Sequence, residues 1–259
     1  MLPSPCYLFS DTHLGFAPGE VERQLREFLR ALPGHAGSLV INGDLFEFWF
    51  EWRHVMPRAA FRVLAALADL RDAGVPVLMI AGNHDCWGGE ILRDDVGVEF
   101  HVGTWTGDVA GWRGCIEHGD GLRDREDRRY RMLRRVLRNP LAIRAFRWLH
   151  PDMATALAGG SSHASRSYAS RDGGAGLRAV AAARLAADPA LELLVFGHSH
   201  VAALEGTASG GVYANAGSWL DAPTFLRVTP ERIELRRWDG SPEGMALDAI
   251  DRGAEKALA

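Results

Sequence analysis

Five short polar clusters each follow an apolar run: SDTH (Ser10–His13), NGD (Asn42–Asp44), GNHD (Gly82–Asp85), EHGD (Glu117–Asp120) and GHSH (Gly197–His200). Seven of their side chains, Asp11, His13, Asp44, Asn83, His118, His198 and His200, offer oxygen or imidazole nitrogen and no thiolate. That donor set suits Mn, Fe, Co, Ni or Zn at a working site rather than a structural Cys-bound zinc. It is large enough for two divalent ions sharing a carboxylate and a water. In hydrolytic sites such ions sit about 3.5–4 Å apart, make hydroxide available near neutral pH and neutralise charge on a phosphoryl group. Each cluster alone says little. D-x-H is a common tripeptide, a lone His118 is more often hydrogen-bonded than ligating, and GNHD reads equally as a turn. The alternative for the whole set is five unrelated turns, which needs a metal-competent side chain at every strand end by accident.

The elements that must position these groups are short β-rich runs: Tyr7–Ser10, Leu39–Asn42, Val75–Ala81, Cys115–Glu117, Leu193–Phe196 and Val212–Ala214. Several are apolar at successive positions, as strands buried on both faces are. Between the early ones lie helical patterns. Val21, Leu25, Phe28, Leu29 and Leu32 share one face of a first helix; Phe61, Leu64, Leu67 and Ala68 share one face of a second. Strand–helix alternation indicates an α/β sheet, beyond whose strand ends ligands bind. Later runs, Val98–Trp105, Trp112–Glu117, Phe225–Val228 and Arg232–Trp238, lack long helices between them, which predicts a mixed sheet or two packed sheets. Residues 122–171 interrupt the pattern. They are Arg-rich, helical and broken by Pro140 and Pro151, end in GGSSHASRSYASR, and read as an inserted cap. Residues 241–259 read as a surface tail.

At 259 residues the chain is one large domain or two small ones. Hydrophobic residues at 47% exclude a disordered chain, and three cysteines exclude a disulfide scaffold. A net charge of −4 argues against a nucleic-acid partner. Locally the balance reverses: between Arg123 and Arg147 there are ten Arg against three acids. The odd cysteine count, without metal spacing, suggests reduced thiols in a cytosol. No signal peptide and no membrane-spanning run is expected.

The ordered set D-x-H, GD, GNHD, H and GHSH resembles the calcineurin-like metallophosphoesterase superfamily over residues 11–200. The resemblance implies an α/β two-sheet sandwich flanked by helices (αββα), here residues 1–240 with the helical cap inserted. It also implies roles. Asp11, His13 and His200 would hold one ion, Asn83, His118 and His198 the second, and Asp44 would bridge them. His84 would assist the substrate or leaving group, with Asp85 orienting it. GDLFEFWFEW, HGDGLRDREDRRYR and RNPLAIRAFRWLHPD resemble the UDP-2,3-diacylglucosamine pyrophosphatases of lipid A synthesis. Those use Mn-type ions to release UMP and a diacylglucosamine 1-phosphate at the cytoplasmic face of the inner membrane, with acyl chains held by the cap.

In that light Leu133, Val136, Leu137, Leu141, Ile143, Phe146, Trp148 and Leu149 supply apolar cap surface, with Arg131, Arg134, Arg135, Arg138, Arg144 and Arg147 between them. A basic amphipathic segment can lie on an anionic membrane; a packed helical hairpin with a solvated Arg face fits the same pattern. Arg123, Ser165, Arg166, Ser167 and Arg171 are candidate phosphate or sugar contacts. Trp49 and Phe50 read as core packing before they read as an acyl-chain wall, and NAGSW (Asn215–Trp219) as a loop beside the site or a structural turn. One position departs from the best-known branch, which carries Arg where this chain has His84. That leaves open another phosphomonoester, diester or nucleotide substrate. A non-catalytic scaffold is disfavoured because all seven donors are present.

Overall fold

The computed structural model describes residues 1–123, 127–157 and 172–253. Two sheets face each other. The first has seven strands in the order β12-β11-β10-β1-β2-β3-β4, and the second five in the order β5-β6-β7-β9-β8. Strands β1 (Cys6–Phe9), β2 (Ser38–Asn42), β3 (Val77–Ile80) and β4 (Glu99–His101) run parallel. So do β6 (Trp112–Ile116), β7 (Leu193–Phe196) and β9 (Val212–Asn215) in the other sheet. Antiparallel strands complete both: β10 (Thr224–Val228), β11 (Arg232–Arg237) and β12 (Met245–Asp251) in the first, β5 (Trp105–Val109) and β8 (Ala203–Gly206) in the second.

Strand alternation sorts the apolar runs into layers. Cys6, Leu8, Val40, Leu78 and Ile80 meet Ile116, Leu193, Val195, Val212 and Ala214 between the sheets. Their neighbours Tyr7, Phe9, Leu39, Ile41, Val77 and Met79 pack outward against α1 (Gly19–Ala31) and α2 (Phe61–Asp72). On the far side Cys115, Leu194, Phe196 and Tyr213 pack against Leu177, Ala181 and Leu185 of α5 (Ala175–Ala187). The result is the expected helix–sheet–sheet–helix stack. All three cysteines are free and buried.

Three sequence expectations change. Val98–Trp105 is not one strand. Gly103, at φ +97°, breaks it, and the chain crosses from β4 in one sheet to β5 in the other. The inward face of α2 is Val63, Leu64, Ala66, Leu67 and Leu70, whereas Phe61 is 61% exposed and lines a surface groove with Val55 and Ile91. The stretch read as a surface tail adds the edge strand β12, paired from Arg232↔Asp251 to Arg237↔Met245, and inserts Ile250 into the inter-sheet core.

The insertion is helical where it is described. It holds α3 (Arg128–Leu137), α4 (Pro140–Phe146) and helical residues 151–157. Asn139 caps α4, its side-chain oxygen accepting from Leu141 N at 2.8 Å, with Pro140 in the first turn. The side chains do not partition as an ordinary amphipathic segment would. Tyr130, Arg131 and Arg134 of α3, and Arg138 just past its end, turn toward the sheets. Tyr130 donates to Asp120 Oδ2 at 2.7 Å, Arg134 to Asp120 O at 2.8 Å and Arg131 to Arg123 O at 2.8 Å. Ile143, Phe146 and Leu149 also turn inward, onto Phe50, Trp52, Phe48 and Trp87. Met132, Leu133, Val136, Leu141, Trp148, Met153 and Leu157 are left exposed. Trp49 and Phe50 are fully buried packing residues, as expected.

Phe28 packs in tilted and edge-on contacts among Tyr7, Phe9, Trp219, Phe225 and Trp238. Phe28→Ala should therefore lower the unfolding free energy by about 3–5 kcal/mol in a urea titration. Phe61→Ala should change it by less than about 0.5 kcal/mol. Equal effects would contradict the helix faces described.

Candidate metal centre

The polar clusters all emerge at strand ends, and four of them are tied in pairs by main-chain bonds. Asp11 N donates to Gly43 O, Thr12 N and His13 N to Asp44 O, and Gly197 N to His118 O, at 2.9–3.1 Å. Ser218 Oγ donates to Asp11 O at 3.1 Å, and Asn215 Nδ2 donates to Gly197 O at 3.0 Å. NAGSW is thus a structural turn that clamps two of the clusters. Among the described residues, six non-glycine residues have φ in the left-handed region, and five of them are Asp11, His13, Asp44, His198 and His200. Such a conformation costs about 1–2 kcal/mol at a non-glycine residue, so its concentration here marks side chains aimed for a purpose. Two glycines make room. A Cβ on Gly82 would overlap Asp44 Oδ1, and one on Gly43 would overlap the His118 ring.

Asp44 is the hub. Its Oδ1 accepts from the His84 main-chain N–H at 2.9 Å. Its Oδ2 faces three imidazole nitrogens: His118 Nε2 at 3.3 Å, His13 Nε2 at 3.9 Å and His84 Nε2 at 4.0 Å. Asp11 repeats the arrangement, Oδ2 accepting from His198 N at 3.1 Å and Oδ1 facing His200 Nε2 at 3.3 Å. Three groups of potential ligand atoms result: Asp11, His13 and His200; His13, Asp44 and His84; and Asp44, His118 and His198, each within 4.8 Å. Asn83 sits on the same loop, between Gly82 and His84.

The far nitrogen of each ring explains the orientation. His118 Nδ1–H donates to Asn42 O at 2.8 Å and His84 Nδ1–H to Glu47 O at 2.9 Å. His13 Nδ1 meets Glu47 Oε2 at 3.1 Å, and His200 Nδ1 meets Asp221 Oδ2 at 3.4 Å. Four rings are thus held by an oxygen on Nδ1 and turn Nε2 inward, which is how metal-binding histidines are oriented. His13 Nε2 and His200 Nε2 lie 3.3 Å apart.

The field inside the cluster calls for cations. Burial alone would raise both carboxylates, yet His118 beside Asp44 holds it well below the usual range and His200 holds Asp11 at about 2. In return, against the opposing effect of burial, Asp44 pulls His118 well above its ordinary value and Asp11 pulls His200 up to about 10. His198, buried beside His118, falls to about 4. Asp11 Oδ1 and His118 Nε2 are buried without a hydrogen-bond partner among the described residues. Divalent ions fit such atoms, displacing the protons that the carboxylates attract.

Several expected roles change or fall elsewhere. Asp85 does not touch the His84 ring. Its carboxylate accepts from Gly82 N and Leu45 N, both at 2.8 Å, so it pins the loops that carry Asn83 and Asp44. Burial, with Asp44 nearby, raises it to about 7. The ring of His84 is oriented by Glu47 instead. Arg123 is only 6% exposed and engaged by Asp127 at 2.9 Å and Asp172 at 3.5 Å, so it is not presented to a substrate. Ser165, Arg166, Ser167 and Arg171 lie outside the described residues. Glu47 and Asp221 were not anticipated. Their only signal was an acidic side chain shortly after a cluster, in GDLFE and NAGSWLD.

Residues 5–202 match the model of the calcineurin-like phosphoesterase family. A protein from Porphyromonas gingivalis named UDP-2,3-diacylglucosamine hydrolase is 36% identical over 167 residues, 63% of this chain and 64% of that one. A protein of the same name from Yersinia pestis bv. Antiqua is 28% identical over 234 residues, 87% of this chain and 95% of that one. Among solved structures, a dimetal phosphatase from Danio rerio is 14% identical with a TM-score of 0.49, over 96% of this chain and 100% of that one.

Elemental analysis after reconstitution with Mn²⁺ tests the hub. The unmodified protein should hold two ions and Asp44→Ala at most one, with helix content unchanged by circular dichroism. Retention of two ions would remove Asp44 from the centre.

Proposed function

The chain belongs to the calcineurin-like phosphoesterase family and is a metal-dependent phosphoester hydrolase, and from that premise we propose that it cleaves the pyrophosphate of UDP-2,3-diacylglucosamine. The products are UMP and 2,3-diacylglucosamine 1-phosphate. Asp11, His13 and His200 would hold one ion, Asn83, His118 and His198 the other, with Asp44 shared by both. Mn is the ion of choice, with Fe, Zn, Co or Ni as alternatives. When bound, the two ions supply an acidified water and neutralise charge on the phosphoryl oxygens.

The chain's own groups do the rest. Asp85 holds the Asn83 and Asp44 loops together through their amides. His84, fixed by Nδ1–H on Glu47 O, carries any second proton on Nε2, facing the centre. That proton can pass to a departing oxygen. Sugar phosphate is a good leaving group and needs it little; an alkoxide needs it more.

The observation that carries the lipid reading is the inverted face of the cap. Trp87 Nε1, three residues past His84, donates to Leu137 O at 2.8 Å, and Asp120, two past His118, receives Tyr130. The cap is therefore seated on the loops of the cluster. Its exposed side chains include the apolar Trp148, at 86% exposure, Leu141 and Val136, together with Arg135, Arg144 and Arg147. Exposed apolar surface of this extent marks an interaction site. It fits acyl chains and an anionic membrane, which we place at the cytoplasmic side. Among the described residues no helix is long and apolar enough to cross a membrane. The relatives named for the same lipid substrate support this reading.

His84 favours a second reading, hydrolysis of another phosphoester by the same centre. The Mn²⁺-loaded protein should release UMP from UDP-2,3-diacylglucosamine in a chromatographic assay. Absence of UMP with rapid cleavage of a bis-aryl phosphate would favour the second reading. His84→Ala should slow alkyl phosphoesters by about 100-fold or more, and the pyrophosphate by far less; equal losses would exclude an acid role. Arg135→Glu, Arg144→Glu and Arg147→Glu combined should abolish co-sedimentation with anionic vesicles. Unchanged sedimentation would exclude membrane contact through this face.

A further inference from the structure

Glu47 lies three residues beyond Asp44 and governs two imidazoles through two different groups. The segment is fixed from the main chain: Glu47 N donates to Leu14 O at 2.9 Å, beside a bridge between Leu14 and Phe46. The carboxylate Oε2 accepts from His13 Nδ1 at 3.1 Å and lies 3.9 Å from His84 Nδ1. The carbonyl of the same residue accepts from His84 Nδ1 at 2.9 Å. The two rings meet edge to face with centroids 4.9 Å apart, so a rotation of either is felt by the other. A carboxylate and a carbonyl both accept. Each ring therefore carries its proton on Nδ1 and turns Nε2 toward Asp44 Oδ2.

We propose that Glu47 is a positioning residue of the centre: its carboxylate fixes the tautomer and rotamer of His13 so that Nε2 is the nitrogen offered to a divalent ion, while its carbonyl fixes the ring of His84 so that Nε2 faces the reacting group. The inference rests on the metal-centre reading. It separates the two histidines by the group that holds them. Side-chain substitution at position 47 removes the support of His13 and leaves the carbonyl under His84. The ion that His13 serves should weaken, and the ion served by His118 and His198 should not.

The test is calorimetric titration of metal-stripped protein with Mn²⁺, for the unmodified chain, Glu47→Ala and Glu47→Gln. The unmodified chain should bind two ions; binding of none would overturn the metal-centre reading itself. Glu47→Ala should weaken one ion about 10–100-fold, the usual effect of losing an outer partner, and leave the other within about 2-fold. Glu47→Gln keeps an accepting oxygen at the same reach and should recover most of the loss. Two ions at parental affinity in Glu47→Ala would overturn the proposal, as would equal weakening of both. So would Glu47→Gln behaving like Glu47→Ala. Histidine-selective ¹⁵N spectra of the Zn²⁺-loaded unmodified protein give a second measurement that needs no variant. His13 should carry its proton on Nδ1; a proton on Nε2 would overturn the proposal.

Discussion

The centre depends on a single carboxylate with two unlike oxygens. Asp44 Oδ1 is fixed by a main-chain amide of the neighbouring loop, while Oδ2 is shared by the Nε2 atoms of three imidazoles. One oxygen sets the position and the other gathers positive charge. Burial would ordinarily force such a carboxylate to take up a proton. The surrounding histidines hold it ionised instead. The left-handed backbone at Asp44 and its partners, and the absence of a side chain at Gly43 and Gly82, are local costs of bringing these groups within reach. The two sheets bear those costs because their buried strands fix where each loop begins.

The same loops anchor the cap. Asp120 follows His118 by two residues and takes Tyr130, with Arg134 and Arg138 nearby. Trp87 follows His84 by three and holds the end of α3. The aromatic loop after β2 meets the cap through Trp52, whose Nε1 donates to Leu149 O at 3.2 Å. Inward-facing arginines satisfy buried oxygens near the centre, so the apolar residues of α3 are left on the outside. An inside-out helix of this kind is unfavourable in water alone. It becomes reasonable when its outer face is covered, which joins the electrostatics of the centre to the surface proposed for lipid.

The donor residues were legible because chemistry is written in residue type. Asp, His and Asn at the ends of apolar runs can be recognised without knowing how the runs pack. The layered fold was legible for the same reason, since runs such as LVIN and LLVF are buried on both faces. Edges were less so. β8 and β12 are short or exposed and carry little hydrophobic signal, and Gly103 divides a run that looks continuous. Phe61 satisfies a helical period yet lies on the rim of the buried face.

Residue types and their order already specify which atoms are available to metals, the succession of the loops that carry them and the presence of an Arg-rich insertion. Folding adds which nitrogen of His13, His84, His118 and His200 faces inward, that Glu47 rather than Asp85 orients His84, and that Arg123 is consumed by two internal carboxylates. The physical reason is one of range. A residue's chemistry is its own, but its tautomer, its rotamer and the side of the helix it shows to water are set by partners far away in the chain. Asn42 and His118, or Glu47 and His84, become neighbours only when the strands beneath them have paired.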